Sequence, residues 1–228
     1  MNRLAIIPAR GGSKRIPRKN VRPFLGKPII AYSIAAALES DLFDEVMVST
    51  DDGEIAEVAR RYGAKVPFLR SPETAGDFAG TIDVLREVHG RYESTTFSEA
   101  CCIYATAPFI SVDLLHRTLA VLESGRDSVF PVLPYSFPIQ RALKMTADGK
   151  MLMFQPRHLN SRSQDLEPAY HDCGMFYWYK PNKVLPAGKL WTDNSGCLVL
   201  SEMAAQDIDT VDDWRVAEFK YRLLHGIE

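Results

Sequence analysis

The stretch Ala5-Ile-Ile-Pro-Ala-Arg-Gly-Gly-Ser-Lys-Arg-Ile-Pro-Arg-Lys-Asn20 constrains the fold more than any other part of the chain. Leu4 to Ile7 is an apolar run of strand length that stops at Pro8. Gly11 and Gly12 free the backbone to turn and to bring N–H groups close to a ligand. Arg10, Lys14, Arg15, Arg18 and Lys19 gather positive charge in the same loop, with Ser13 and Asn20 as polar neighbours. A loop that follows a buried strand is where an open α/β sheet binds ligands, and a polyphosphate answers the charge. A merely solvated basic loop would answer it too, but has no need of the backbone constraints at Pro8, Gly11, Gly12 and Pro17.

The charge is local, because the 228-residue chain carries a formal net charge of −2. A general nucleic-acid or membrane surface would spread Lys and Arg more widely. The loop also lacks G-x-x-x-x-G-K-[ST] and G-x-G-x-x-G, which disfavours a Walker-type ATPase and a dinucleotide-binding fold. The phosphates are therefore expected on Arg and Lys side chains with help from glycine backbone. Cys101, Cys102, Cys173 and Cys197 show no C-x-x-C spacing. With no signal peptide and no long apolar span, a cytoplasmic protein with reduced thiols is expected.

Along the chain, apolar strands alternate with amphipathic helices. Gly26-Lys-Pro28 is expected to open a helix running to Ser40. Glu45 to Thr50 reads as a buried strand, Asp52 as the cap of a helix ending at Gly63, and Val66 to Leu69 as a short edge piece. Thr81 to Tyr92 reads as a helix, Ala100 to Tyr104 as a strand, Ser111 to Gly125 as a capped helix and Asp127 to Val132 as a strand. This alternation predicts a mostly parallel, twisted sheet with helices on both faces. It breaks near residue 133. From about 134 to 197 prolines, turn pairs and aromatics dominate, with Asp148-Gly149 between two hairpin arms and an aromatic strand from Gly174 to Lys180. This region is expected to be an insertion packed at the sheet edge, its apolar content serving a subunit interface. Thr210 and Asp213 form a capping box that opens a terminal helix.

The best acidic pair is Asp207 and Asp209. A spacing of two places both carboxylates on one side of an extended segment and turns Ile208 toward the core. Such a pair suits Mg²⁺, which keeps several waters and uses few carboxylates; contact with the nearby helix N-terminus is the alternative. Asp51-Asp52 is a rival pair, with Asp52 already explained as a cap. Arg70 follows a strand and suits either the same anion or an ion pair. Gln140, Arg141 and the polar segment from Asn160 to Asp172 offer hydrogen bonds suited to a polyhydroxylated acid. No order of Ser, His and Asp or of Cys and His stands out for a covalent nucleophile.

Residues 8–20, Val48-Ser-Thr-Asp51 and Asp207-Ile-Asp-Thr210 together resemble the cytidylyltransferases that activate nonulosonic acids, the CMP-sialic acid synthetase family. The segment Arg162 to Asp172 is similar to the branch that activates pseudaminic acid. The resemblance spans nearly the whole chain. It implies a single domain, 1–228, with a Rossmann-like three-layer nucleotide-binding α/β sheet and a small inserted β-rich dimerisation subdomain that reaches over the neighbour's site. The implied reaction joins CTP to a nonulosonic acid with Mg²⁺, in a homodimer. By motif, Arg10, Gly11, Gly12, Ser13, Lys19 and Asn20 are the nucleotide-binding loop, with Arg70, Asp77 and Thr81 beside it. Arg10, Lys19 and Asp209 are the implied catalytic residues, and Asp207 and Asp209 the implied metal ligands. Tyr104, Gln140, Arg141, Arg162, Gln164, Tyr170 and His171 are the implied sugar contacts. Where sialic acid enzymes have Gln-Pro-Thr-Ser-Pro, this chain has Tyr104-Ala-Thr-Ala-Pro108, which points away from N-acetylneuraminate. The rivals are the same reaction on N-acetylneuraminate, legionaminate or 3-deoxy-manno-octulosonate, a nucleotide-sugar-dependent glycosyltransferase, and a nucleotide-binding module without activity.

Overall fold

The computed structural model of the chain describes residues 2–92 and 97–227. Strand β1 (Arg3–Pro8) shows the rule on which the fold is built. Its successive side chains face opposite ways, so Ala5 and Ile7 enter one apolar cluster while Leu4 and Ile6 enter another. A strand buried on both faces needs cover on both faces. After the basic loop come a two-residue ladder, β2 (Pro23–Phe24) with β3 (Lys27–Pro28), then α1 (Ile30–Glu39), β4 (Glu45–Ser49) and α2 (Gly53–Arg61). The short α3 (Pro72–Ala75), α4 (Thr81–Arg91), β5 (Glu99–Ile103), α5 (Val112–Glu123) and β6 (Ser128–Pro134) complete the alternating half. Apolar residues of α1, α2 and α5 fill the first cluster, and Leu85 and Val88 of α4 the second. The result is three layers with an open sheet between helices.

The remaining strands are β7 (Leu143–Met145), β8 (Met151–Met153), β9 (Tyr170–Asp172) and β10 (Phe176–Tyr179), followed by α6 (Pro181–Ala187), β11 (Ser195–Val199) and α7 (Val211–His225). The main sheet has seven strands in the order β11-β6-β10-β5-β1-β4, with β9 paired to β6. Ile6 stands opposite Met47 on one side and Cys102 on the other, both in parallel register. The β11–β6 pair is parallel as well, while β10 runs antiparallel to both of its neighbours.

Three expectations are corrected. The aromatic strand is not at the sheet's edge: β10 lies between β5 and β6. Phe176 and Trp178 bury into the first cluster and Tyr177 and Tyr179 into the second, so β10 is covered on both faces. The segment 134–197 is accordingly not one compact insertion. It supplies β9, β10 and β11 to the main sheet, and the β7–β8 hairpin forms a separate two-stranded sheet. Pro28 does not open α1. The turn at Leu25 and Gly26, with φ of 45° and 88°, folds β2 onto β3, and Pro28 pairs with Pro23 before the helix starts. Val66 to Leu69 forms no strand, because pairing with β4 stops at Lys65, whose N–H donates to Val46 O and whose carbonyl accepts from Val48 N; Pro67 has no N–H to extend it.

A third cluster decides where the site lies. Ile16 of the basic loop, Ile208 between the two aspartates, Phe24, Ile29, and Trp214 and Ala217 of α7 are buried against one another. The capping box is present, with Thr210 Oγ accepting from Asp213 N and Asp213 accepting from Thr210 N. It starts α7 directly after Asp209. The two ends of the chain are thus clamped together by apolar contact.

Candidate active site

The C-terminal ends of β1 and β5 open into one cleft of about 600 Å³, a volume suited to a small-molecule ligand. Arg10, Ser13, Lys14, Arg15, Lys19 and Asn20 line it from the loop after β1. Arg70, Asp77 and Thr81 come from the next crossover, Tyr104 and Thr106 from beyond β5, and Asp207 and Asp209 from the segment before α7. The cationic loop and the carboxylate pair therefore face one another. Lys19 Nζ donates to Ile208 O at 2.7 Å and stands 3.6 Å from Asp209. Burial pulls its pKa below the usual lysine value, and Asp209 works against that shift.

The loop is held by acids that sequence reasoning weighed as metal ligands. Asp51 accepts the Gly11 N–H at 2.9 Å, so this amide is not free to cradle a phosphate. A Cβ at position 11 would stand 2.7 Å from Asp52 Oδ2, which is why a glycine is needed there. Asp52 caps α2 through Ile55 N and receives both terminal nitrogens of Arg18. Arg18 sits at φ 55°, a left-handed conformation that costs about 1 kcal/mol outside glycine, and its ion pairs with Asp52 and Glu54 hold it there. Gly12 lies exposed at the bend. Asn20 Nδ2 closes the loop by donating to Arg10 O.

Arg70 is buried, 7% exposed, and donates to Ser49 Oγ and Ser49 O at 3.1 and 2.6 Å, so it is no surface ion pair. Thr81 Oγ1 and Tyr104 Oη share a hydrogen bond at 3.2 Å. Burial lifts the Tyr104 phenol well above its ordinary range, and it stays protonated.

Asp207 and Asp209 lie on one side of their segment while Ile208 is fully buried on the other. Burial, with the Asp209 charge second, raises the Asp207 pKa. Two neighbouring carboxylates beside the cationic loop are an oxygen donor pair suited to a hard cation such as Mg²⁺. The pair is tightly cradled: a Cβ on Gly174, at φ 65°, would stand 2.9 Å from Asp207 Cγ. No third His, Cys, Asp or Glu joins them in metal-holding geometry among the described residues.

The residues assigned to the sugar scatter. Tyr104 lines the cleft. Gln140 donates to Glu167 O, Arg162 is engaged by Asp165, and Gln164 is exposed. Arg141 borders a separate hollow with Phe137. Tyr170 and His171 border an aromatic hollow with Phe130 and Trp191. His171 alone of these also reaches a small recess that shares Asp207 with the cleft. Sequence reasoning named Asp172 only as the end of a polar segment and did not single out Tyr177. The Tyr177 phenol donates to Asp172, whose pKa burial raises, and Asp172 borders the same recess. The strand alternation that buries Tyr177 was the signal that could have found them.

Comparison with known proteins gives the family and the fold. The sequence pattern of the cytidylyltransferase family matches residues 4–173. The chain belongs to the cytidylyltransferase family. Pseudaminic acid cytidylyltransferase from Campylobacter jejuni subsp. jejuni serotype O:2 is 42% identical over 228 residues, covering 99% of this chain and 98% of the relative. CMP-N,N'-diacetyllegionaminic acid synthase from Legionella pneumophila subsp. pneumophila is 31% identical, covering 96% and 95%. The fold of CMP:2-keto-3-deoxy-manno-octonic acid synthetase, solved with CTP, superimposes with a TM-score of 0.70 at 17% identity, over 99% of this chain and 100% of that one. A glycosyltransferase and an inactive module are thereby set aside. No helix among the described residues is long and apolar enough to cross a membrane.

Proposed function

We propose that this enzyme joins CTP to a nonulosonic acid, pseudaminic acid, releasing pyrophosphate and the CMP-sugar. The observation that carries the reading is the meeting of the Arg10–Lys19 loop with Asp207 and Asp209 across one cleft. The full-length similarity to a pseudaminic acid cytidylyltransferase supports the choice of acid, and Tyr104, in place of the glutamine of sialic acid enzymes, agrees with it.

The sugar's anomeric hydroxyl attacks the α-phosphorus in line, and the bond to pyrophosphate breaks. Such transfer asks mainly for positioning and charge neutralisation. Arg10 and Lys19 hold the phosphates and stabilise the charge that grows on them. Asn20 and Thr81 border the nucleotide, Asp77 faces the loop cations Arg10 and Lys14, and Tyr104 with Thr81 orients the acid. Asp207 and Asp209 would hold Mg²⁺, which would supply further neutralisation of the phosphate charge when bound.

The arm between β6 and β9 supports a homodimer. Phe137, Met145, Phe154 and Leu159 on it are 83%, 73%, 62% and 64% exposed, more apolar surface than such an arm leaves to water when it has a partner. In a dimer the arm carries Gln140, Arg141, Arg162 and Gln164 toward the neighbour's cleft.

The test is pyrophosphate release from CTP with Mg²⁺ and each of pseudaminic, legionaminic, N-acetylneuraminic and 3-deoxy-manno-octulosonic acids. Pseudaminic acid is expected to give the highest kcat/KM. A clear preference for another acid replaces the substrate, and no release with any of them removes the reaction.

A further inference from the structure

Every cation of the basic loop is already answered by an acid of the same chain. Asp209 takes Arg15 and lies near Lys19, Asp52 takes Arg18, and Asp77 takes Arg10 and Lys14. Asp52 and Asp209 have other duties, one as a helix cap and one as a member of the proposed metal pair. Asp77 has no such duty. Its carboxylate accepts from Arg10 Nη1 at 2.9 Å and from Lys14 Nζ at 2.5 Å, and from no other group among the described residues. It is half exposed, and its neighbour Phe78 is fully exposed at 104%.

The connection that carries Asp77 is tied at both ends, and between them Gly76 O accepts from Ala79 N and from Arg10 Nη1 at 3.4 Å, while the Asp77 carboxylate itself is held by the two loop cations. Ser71 and Thr74 are hydrogen-bonded to Glu87, and Gly80 N donates to Asp83 at 3.0 Å. What places Asp77 is therefore the pair of cations, and these line the cleft where a polyphosphate would sit. A carboxylate accepting from an arginine and a lysine occupies them as a phosphate oxygen would.

We infer that Asp77 is an internal competitor of the polyphosphate: it holds Arg10 and Lys14 in the free enzyme and selects for ligands charged enough to displace it. The inference deepens the nucleotide reading of the cleft and rests on it. Displacement is feasible because ion pairs this exposed are each worth less than about fivefold in an equilibrium constant. A nucleoside triphosphate brings roughly four negative charges against the single one of Asp77. A ligand that does not reach Arg10 and Lys14 meets no competition.

Isothermal titration with CTP, inorganic pyrophosphate and cytidine, in the presence of Mg²⁺, compares the wild type with Asp77→Asn, Asp77→Ala and Glu73→Gln. Glu73 lies on the same connection, and its substitution removes the same charge without releasing a loop cation. Both Asp77 variants are expected to bind CTP and pyrophosphate about three- to tenfold more tightly, with cytidine unchanged and Glu73→Gln within about twofold of wild type. Weaker or unchanged pyrophosphate binding in the Asp77 variants overturns the inference, as does equal tightening in Glu73→Gln, which would make the effect one of bulk charge. Failure of the wild type to bind CTP or pyrophosphate strikes the nucleotide reading itself, and is distinguishable from either result.

Discussion

Lys19 joins the two halves of the cleft, because its ammonium touches the Ile208 carbonyl and faces Asp209. A positioned charge that meets the transition state is worth on the order of 10²–10³ in rate. Lys19→Ala and Asp209→Ala are each expected to lose that much turnover, measured by pyrophosphate release, with the far-ultraviolet circular dichroism unchanged. Near-normal release from either variant removes it from the catalytic set. Gly174 acts one step further back. Its φ of 65° disfavours any side chain, and a Cβ there would press on Asp207. Gly174→Ala is expected to raise the Mg²⁺ concentration needed for half-maximal activity several-fold and to lower stability by about 1 kcal/mol. An unchanged Mg²⁺ requirement would show that Asp207 needs no such cradle. Lys19 and the aspartates were legible in the sequence because a metal-bound polyphosphate demands both a cationic loop and a carboxylate pair. The roles of Gly174, Asp51 and Asp77 were not. Each acts on a partner distant along the chain, and no local spacing encodes that meeting.

Among the elements, α4 carries a titration with a predictable sign. His89 packs in its buried half against Phe97 and Tyr179, with its Nε2 2.9 Å from Tyr179 Oη. Burial pushes its pKa down to about 4 from the ordinary 6.5. Between those values the unfolded chain binds the extra proton and the folded one does not, so stability falls as pH drops through this window. The loss amounts to about 2–3 kcal/mol by pH 4. Urea unfolding at pH 7 and pH 4.5 is expected to show a large part of it, and His89→Gln to flatten that dependence; an equal slope in the variant would assign the effect to other groups. The elements themselves were legible wherever their apolar period was regular. The capped starts of α2, α5 and α7 followed from Asp52, Ser111 and Thr210. Pairing was less legible. The sequence of β10 shows that both its faces are apolar, but whether such a strand lies between two others is decided by what remains unpaired in β5 and β6.

For the whole molecule, the cleft gathers the groups proposed to bind the nucleotide and leaves the acid short of partners within one chain. Gln140, Arg141, Arg162 and Gln164 sit on the arm rather than at the cleft, and the same arm exposes Phe137, Met145 and Phe154. The dimer proposed above would answer both facts: the arm of one protomer would lie on its partner, burying its apolar face and delivering its polar groups to the partner's cleft. A charge on that face would then separate the protomers without disturbing the nucleotide site, which one chain builds alone. The paired substitution Met145→Glu with Phe154→Glu is expected to shift the protein from dimer to monomer in analytical ultracentrifugation. CTP binding should persist within about twofold, since the Arg10–Lys19 loop and the aspartates are clamped by the Ile16–Ile208 cluster of a single chain. Turnover with the acid should fall by at least about tenfold through a raised KM for the acid, because its contacts come from the missing neighbour. A variant that stays dimeric, or a monomer with an unchanged KM for the acid, would detach the arm from substrate recognition and return the search for the acid's partners to the recess between Asp172 and Asp207.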